Sequence, residues 1–106
     1  MVSIIKGTTP TFRFRYKNVD LSNVTVTYLT VKQNKELVLQ RDLSTATVDA
    51  TERTISYKLS QEETLLFNKG KIMVMHNWLL TDGTRGATPE NEVQVLDNHK
   101  DEVING

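Results

Sequence analysis

A chain of 106 residues with thirteen basic and thirteen acidic side chains and no cysteine has room for one domain and one core. Zero net charge argues against a protein that grips a nucleic-acid backbone by charge alone. The missing cysteine rules out disulfides and thiolate metal sites.

The N-terminal stretch MVSIIKGTT lacks the continuous apolar run of a signal peptide. No other run is long enough to span a bilayer as a helix. The expectation is a soluble protein made inside the cell. Val2 to Ile5 reads as an edge strand or an arm. Thr11 to Lys17 alternates, with Phe12, Phe14 and Tyr16 on one face and Arg13, Arg15 and Lys17 on the other. Asn18 to Asn23 reads as a polar turn anchored by Leu21. Val24 to Lys32 is rich in β-branched and aromatic residues and predicts a strand. Val24, Val26 and Tyr28 face one way, and Leu29 and Val31 the other.

A turn at Gln33-Asn34-Lys35 leads to a strand over Glu36 to Leu43, with Leu37, Leu39, Arg41 and Leu43 on one face. Thr45 to Asp49 is a further short strand, and Thr54 to Leu59 aligns Ile55, Tyr57 and Leu59. The period then changes. Ser60 and Glu63 have capping-box spacing, so Ser60 to Phe67 predicts one or two helical turns. Lys71 to Leu80, KIMVMHNWLL, is the longest apolar-rich run. Its Met and Leu favour a helix. Gly70, the Asp82-Gly83 turn and the alternating Glu92 to Leu96 favour a central strand in a hairpin. Thr81 to Asn91 reads as a long exposed loop, and Asp97 to Gly106 as a polar tail with Val103 and Ile104 its apolar pair.

Few residues suggest chemistry. His76 and His99 are not in metal-ligand spacing. His76 falls within the central strand and reads as a satisfied, partly buried structural histidine. The adjacent Glu62 and Glu63 suit a helix start better than a catalytic pair. Asp82-Gly83-Thr84 lacks the spacing of a calcium loop and reads as a turn. No phosphate-binding glycine loop or nucleophile elbow is present, so no enzyme and no cofactor are expected. Alternation puts the cations of FRFRYK on the face opposite its aromatics, which favours a protein-contact stripe over a base-stacking platform.

The order of pieces, IIKGTTPTFRFRY, LSNVTVTYLTVK, TISYKLSQEETLLFNKGKIMVMHNWLLTDG and ENEVQVLD, resembles small β-sandwich proteins of tailed-phage tails and baseplates. It resembles especially the N-terminal domain of the upper baseplate protein family. Gly7-Thr8-Thr9, Leu21-Ser22, Leu59 to Thr64, Gly70 and Asp82-Gly83 fall in that family's order, with Thr8 where an acidic residue is common. The resemblance implies a non-enzymatic structural role in an oligomer within a virion assembled in the bacterial host cytoplasm.

The expected fold is therefore an all-β antiparallel sandwich, immunoglobulin-like in architecture. It has about seven strands and one short helical turn, with a domain over residues 1–97 and a tail over 98–106. Copies of the chain and other virion structural proteins are the expected partners. No nucleic acid, membrane or small-molecule substrate is expected. The candidate interaction residues are Val2 and Ile4 of the arm, Arg13 and Arg15 of the stripe, Asp82 and Arg85 of the loop, and Val103 and Ile104 of the tail. The alternative function is a carbohydrate- or ligand-binding β-sandwich module.

Overall fold

A computed structural model describes residues 2–105; Met1 and Gly106, the outer bounds of the expected domain and tail, lie outside the described residues. Nine strands form among the described residues: β1 (Val2–Ile5), β2 (Thr11–Arg15), β3 (Val24–Gln33), β4 (Glu36–Asp42), β5 (Thr47–Asp49), β6 (Thr54–Lys58), β7 (Gly70–Leu80), β8 (Arg85–Ala87) and β9 (Asn91–Leu96). One α-helical turn, α1 (Gln61–Leu65), precedes β7. Two single 3-10 turns, Leu21–Asn23 and Leu43–Thr45, precede β3 and β5.

The strands make two layers. The larger sheet runs β1-β9-β7-β3-β4, with β8 also paired to β7; the smaller runs β2-β6-β5. All pairs are antiparallel except β1 with β9, where Val2 to Ile5 run parallel to Val93 to Leu96. β7 is the axis of the larger sheet. β3 lies along one side of it, and β9 and β8 follow one another along the other. Its sheet partners satisfy its backbone on both sides, which overrides the helix propensity of Met73, Met75 and Leu79.

The core lies between the layers. Leu29, Val31, Ile72, Val74 and Val95 from the larger sheet meet Phe12, Ile55 and Tyr57 from the smaller. Leu59 and Phe67 close one end beside α1. Burying each such side chain contributes about 1.5–3 kcal/mol, so this layer drives folding. The capping box at α1 forms as its spacing predicts. Ser60 Oγ accepts from Glu63 N at 3.1 Å, and Glu63 Oε1 accepts from Ser60 N at 2.9 Å. Arg41 donates to the same Glu63 oxygen at 2.7 Å, so one carboxylate ties β4 to the helical turn.

Four sequence expectations change. The count rises above seven because β8 forms inside the Thr81 to Asn91 loop. Gly86 permits it: a Cβ there would sit 2.2 Å from the Trp78 ring, so only glycine lets the strand lie against that indole. The expected face of Leu37, Leu39, Arg41 and Leu43 breaks at a bulge between Val31 and Lys32, which leaves Leu37 exposed. Thr45 leaves its predicted strand, because Asp42 caps a 3-10 turn there by accepting from Ser44 N at 3.0 Å. Val2 to Ile5 is an edge strand and not an arm, because Ile4 is buried against the core.

Candidate interaction surfaces

A cluster of polar aromatics lies inside the core. β7 carries His76 into the core, where its ring stacks on Phe14 at 4.6 Å. Tyr57 of β6 reaches Nε2 at 2.7 Å, and Tyr16, just after β2, hydrogen-bonds Nδ1. Thr27 Oγ1 extends the row to the Tyr57 hydroxyl at 2.6 Å. Three hydroxyls and one neutral imidazole bring four hydrogens to three contacts, so one hydrogen is left at an end of the row. Thr27 is fully buried, whereas Tyr16 keeps some exposure. The arrangement that satisfies both fully buried hydroxyls, Thr27 and Tyr57, puts the ring hydrogen on Nδ1, with Thr27 donating to Tyr57 and Tyr57 donating to Nε2. Burial pushes His76 down to about 4 and raises both tyrosines above the usual phenol range. His76 is thus a satisfied structural histidine, wholly rather than partly buried. Among the described residues no buried side-chain nitrogen or oxygen lacks a partner, and no group of three or more His, Cys, Asp or Glu side chains could hold a metal.

The sheet edges differ in how they are guarded. β4 carries Glu36, Arg41 and Asp42 together with its bulge, and β5 is three residues long and ends on Asp49. β1, sequence VSII, has no charge, no proline and no bulge. Val2 is 64% exposed and Ile5 43%, and Leu96 lies opposite Ile5 at 40%. Ile4, predicted to meet a partner, faces inward at 5% exposure because strand alternation turns it to the core.

The predicted cation stripe stands on the outer face of the smaller sheet. Arg13 and Arg15 are exposed, and Arg13 Nε donates across β6 to Ser56 Oγ at 3.2 Å. Phe12 and Tyr16 point inward, as the alternation predicts. On the outer face of the larger sheet, β8 brings Arg85 beside Leu79 and Val26 in register, next to the row of Tyr28 and Asn77. These residues and Trp78 line a shallow groove of about 240 Å³. Tyr28 is 44% exposed there, and Arg85 donates weakly to Asn77 Oδ1 at 3.4 Å. The sequence could not reveal the groove, because Tyr28 and Arg85 meet only through the pairing of β8 with β7.

Asp82 is exposed but occupied by its own turn, accepting from Thr84 N at 2.8 Å. The tail folds back on the domain. Gln61 of α1 holds Ile104 through both its backbone N–H (2.7 Å) and C=O (3.1 Å), and Asn98 donates to Lys6 O at 2.9 Å. Val103 is thereby half-buried, and the Ile104 side chain stays exposed. The predicted contact residues do not converge on one site. They divide among the β1 edge, the smaller sheet, the β7-β8 turn and the tail.

No protein-family model matches the sequence, and no curated protein matches it. The fold has clear neighbours. The crystal structure of CopC from Methylosinus trichosporium OB3b aligns over 93% of this chain and 86% of its own, with a TM-score of 0.60 and 14% identity. Murine CRIg aligns over 92% and 91%, with a TM-score of 0.43 and 9% identity. The V domain of amphioxus IgVJ-C2 aligns over 89% and 98%, with a TM-score of 0.36 and 11% identity. At 14% identity the likeness to CopC is one of fold, and the two layered sheets make the chain an all-β sandwich.

Proposed function

We propose that the chain is a non-enzymatic structural protein of a tailed-phage tail, baseplate or neck, which assembles with its own copies and neighbouring virion proteins. The observation that carries this reading is the β1 edge, where exposed Val2 and Ile5 stand on a strand paired on one side only, its outer edge carrying none of the usual guards. Such an edge takes up a strand from a neighbour by β-augmentation. The order of turns and strands shared with baseplate proteins supports the same reading, as does the sealing of the polar aromatic cluster from solvent.

Deleting residues 1–6 is a poor test, because it also removes buried Ile4. Replacing Val2 and Ile5 with lysine leaves the core intact. Size exclusion with light scattering is expected to show a defined oligomer for the native chain and a monomer for V2K/I5K, with surface-level stability changes within about 0.5 kcal/mol. A native chain that stays monomeric at every attainable concentration would count against the proposal.

The groove favours a second reading, a carbohydrate-binding module. An exposed Tyr28 beside the Asn77 amide and the Arg85 guanidinium offers a stacking face with donors around it. Trp78 fluorescence is then expected to shift when surface polysaccharide is added, and Tyr28→Ala to abolish the shift. An unchanged signal with the native chain sinks this reading.

A further inference from the structure

The five ion pairs among the described residues engage Lys6, Arg41, Lys69, Lys71 and Lys100. None involves the smaller sheet's cations. Arg13, Arg15, Lys17, Arg53 and Lys58 are all exposed, and none has a carboxylate of the described residues within 4.0 Å. They gather around β2 and β6, where Thr11 pairs with Lys58 and Arg13 with Ser56. The nearest acids lie toward one end. Asp49 is turned to Glu52 N, and Asp20 feels the Arg53 charge while bonded to Ser22. A protein of zero net charge therefore carries a local positive face, and no element covers it.

β2 is also an edge. Its one strand partner is β6, so its other side offers free backbone groups beside the cation row. Successive side chains on one face of a strand stand about 6.8 Å apart, which sets the spacing of Arg13 and Arg15. A strand laid along β2 would bring its own alternate residues opposite them at cross-strand distance. Arg13 is already held flat on the sheet by Ser56, so part of the ordering cost of binding is met before a partner arrives.

We propose that the β2 edge and its cation face bind an extended acidic protein segment, one with carboxylates at every second residue. The charges make the edge selective. A second copy's β2 would set arginine against arginine, whereas alternating glutamates would form charge-assisted hydrogen bonds. A nucleic-acid strand fits less well. The aromatics of this stretch turn toward the core, Phe12 and Tyr16 buried and the half-buried Phe14 stacked on His76, so they offer no open platform for bases. This surface belongs to the other sheet from β1 and does not rest on the virion reading.

The test uses the full chain and three fluorescent probes: the peptide TEVEVEVT, the same peptide with glutamine for glutamate, and an eight-nucleotide oligothymidine. The glutamate peptide is expected to bind, and to slow amide hydrogen exchange in Thr11 to Arg15. Binding should weaken at least tenfold in R13Q/R15Q and also on raising salt from 50 to 500 mM. Circular dichroism checks that the double variant is folded, since both side chains are exposed. Equal binding of the glutamine peptide overturns the proposal, as does tighter binding of the oligonucleotide. No binding of the glutamate peptide at 1 mM, or binding without exchange protection in β2, would mean that the arginines only guard the edge.

Discussion

His76→Ala is expected to destabilise the domain by about 3–5 kcal/mol, a large share of the roughly 5–15 kcal/mol that holds a domain of this kind folded. Three losses combine. The imidazole leaves a cavity beside Phe14, which had stacked on it at 4.6 Å. Among the described residues the Tyr16 hydroxyl loses its one partner, and Tyr57 keeps only Thr27. A buried hydroxyl left unpaired costs about 1–3 kcal/mol by itself. Urea unfolding followed by Trp78 fluorescence measures the effect. A loss below 1 kcal/mol would mean that water or a neighbouring side chain refills the site.

The same residue sets an acid limit. Stability is expected to fall by about 3 kcal/mol between pH 6.5 and pH 4. The imidazole stands at about 4 in the folded protein, against 6.5 when it is free of the core, because burial disfavours its charged form. Over that window the unfolded chain binds the proton and the folded chain does not, so acid favours unfolding. The contribution is complete above pH 6.5 and gone once the pH falls through about 4. Asp20, Asp42 and Asp82 are each held below the usual carboxylate range by hydrogen bonds from Ser22, Ser44 and Thr84, so they respond only at still lower pH. Urea midpoints taken every half pH unit give the profile. His76→Gln, which keeps a donor and an acceptor, should flatten it between pH 6.5 and 4. An identical slope in that variant would assign the acid sensitivity to other groups.

What the sequence made legible follows from local physics. Alternation turned Phe12 to the core and aligned Ile55, Tyr57 and Leu59 on one face, which is buried, and the Ser60–Glu63 spacing marked the helical turn. These signals are carried by neighbours within a few residues. The features that were missed depend on how strands pair, across a hairpin or from opposite ends of the chain. β8 exists because Gly86 and Trp78 meet across a hairpin, and Leu37 is exposed because of a bulge set by the pairing of β3 with β4. Ile4, expected as a contact residue from its place near the N-terminus, is buried because β9 pairs with β1 from the other end of the chain. The contact surfaces follow the same rule. Arg13 and Arg15 could be placed on an outer face from alternation alone, but their isolation from carboxylates depends on the whole fold.

The parallel pairing of β1 with β9 gives the domain a preferred response to force. Tension between the start of β1 and the end of β9 pulls the strands along their length in opposite directions. The hydrogen bonds between Val2–Ile5 and Val93–Leu96 are then loaded together in shear, not opened one after another from an end. Beyond them, Asn98 bonded to Lys6 and Lys6 paired with Asp101 tie the following segment to the same strand. A domain strung by its two ends would therefore resist stretching as a unit, and its lifetime under load would depend on the rate at which this one seam slides.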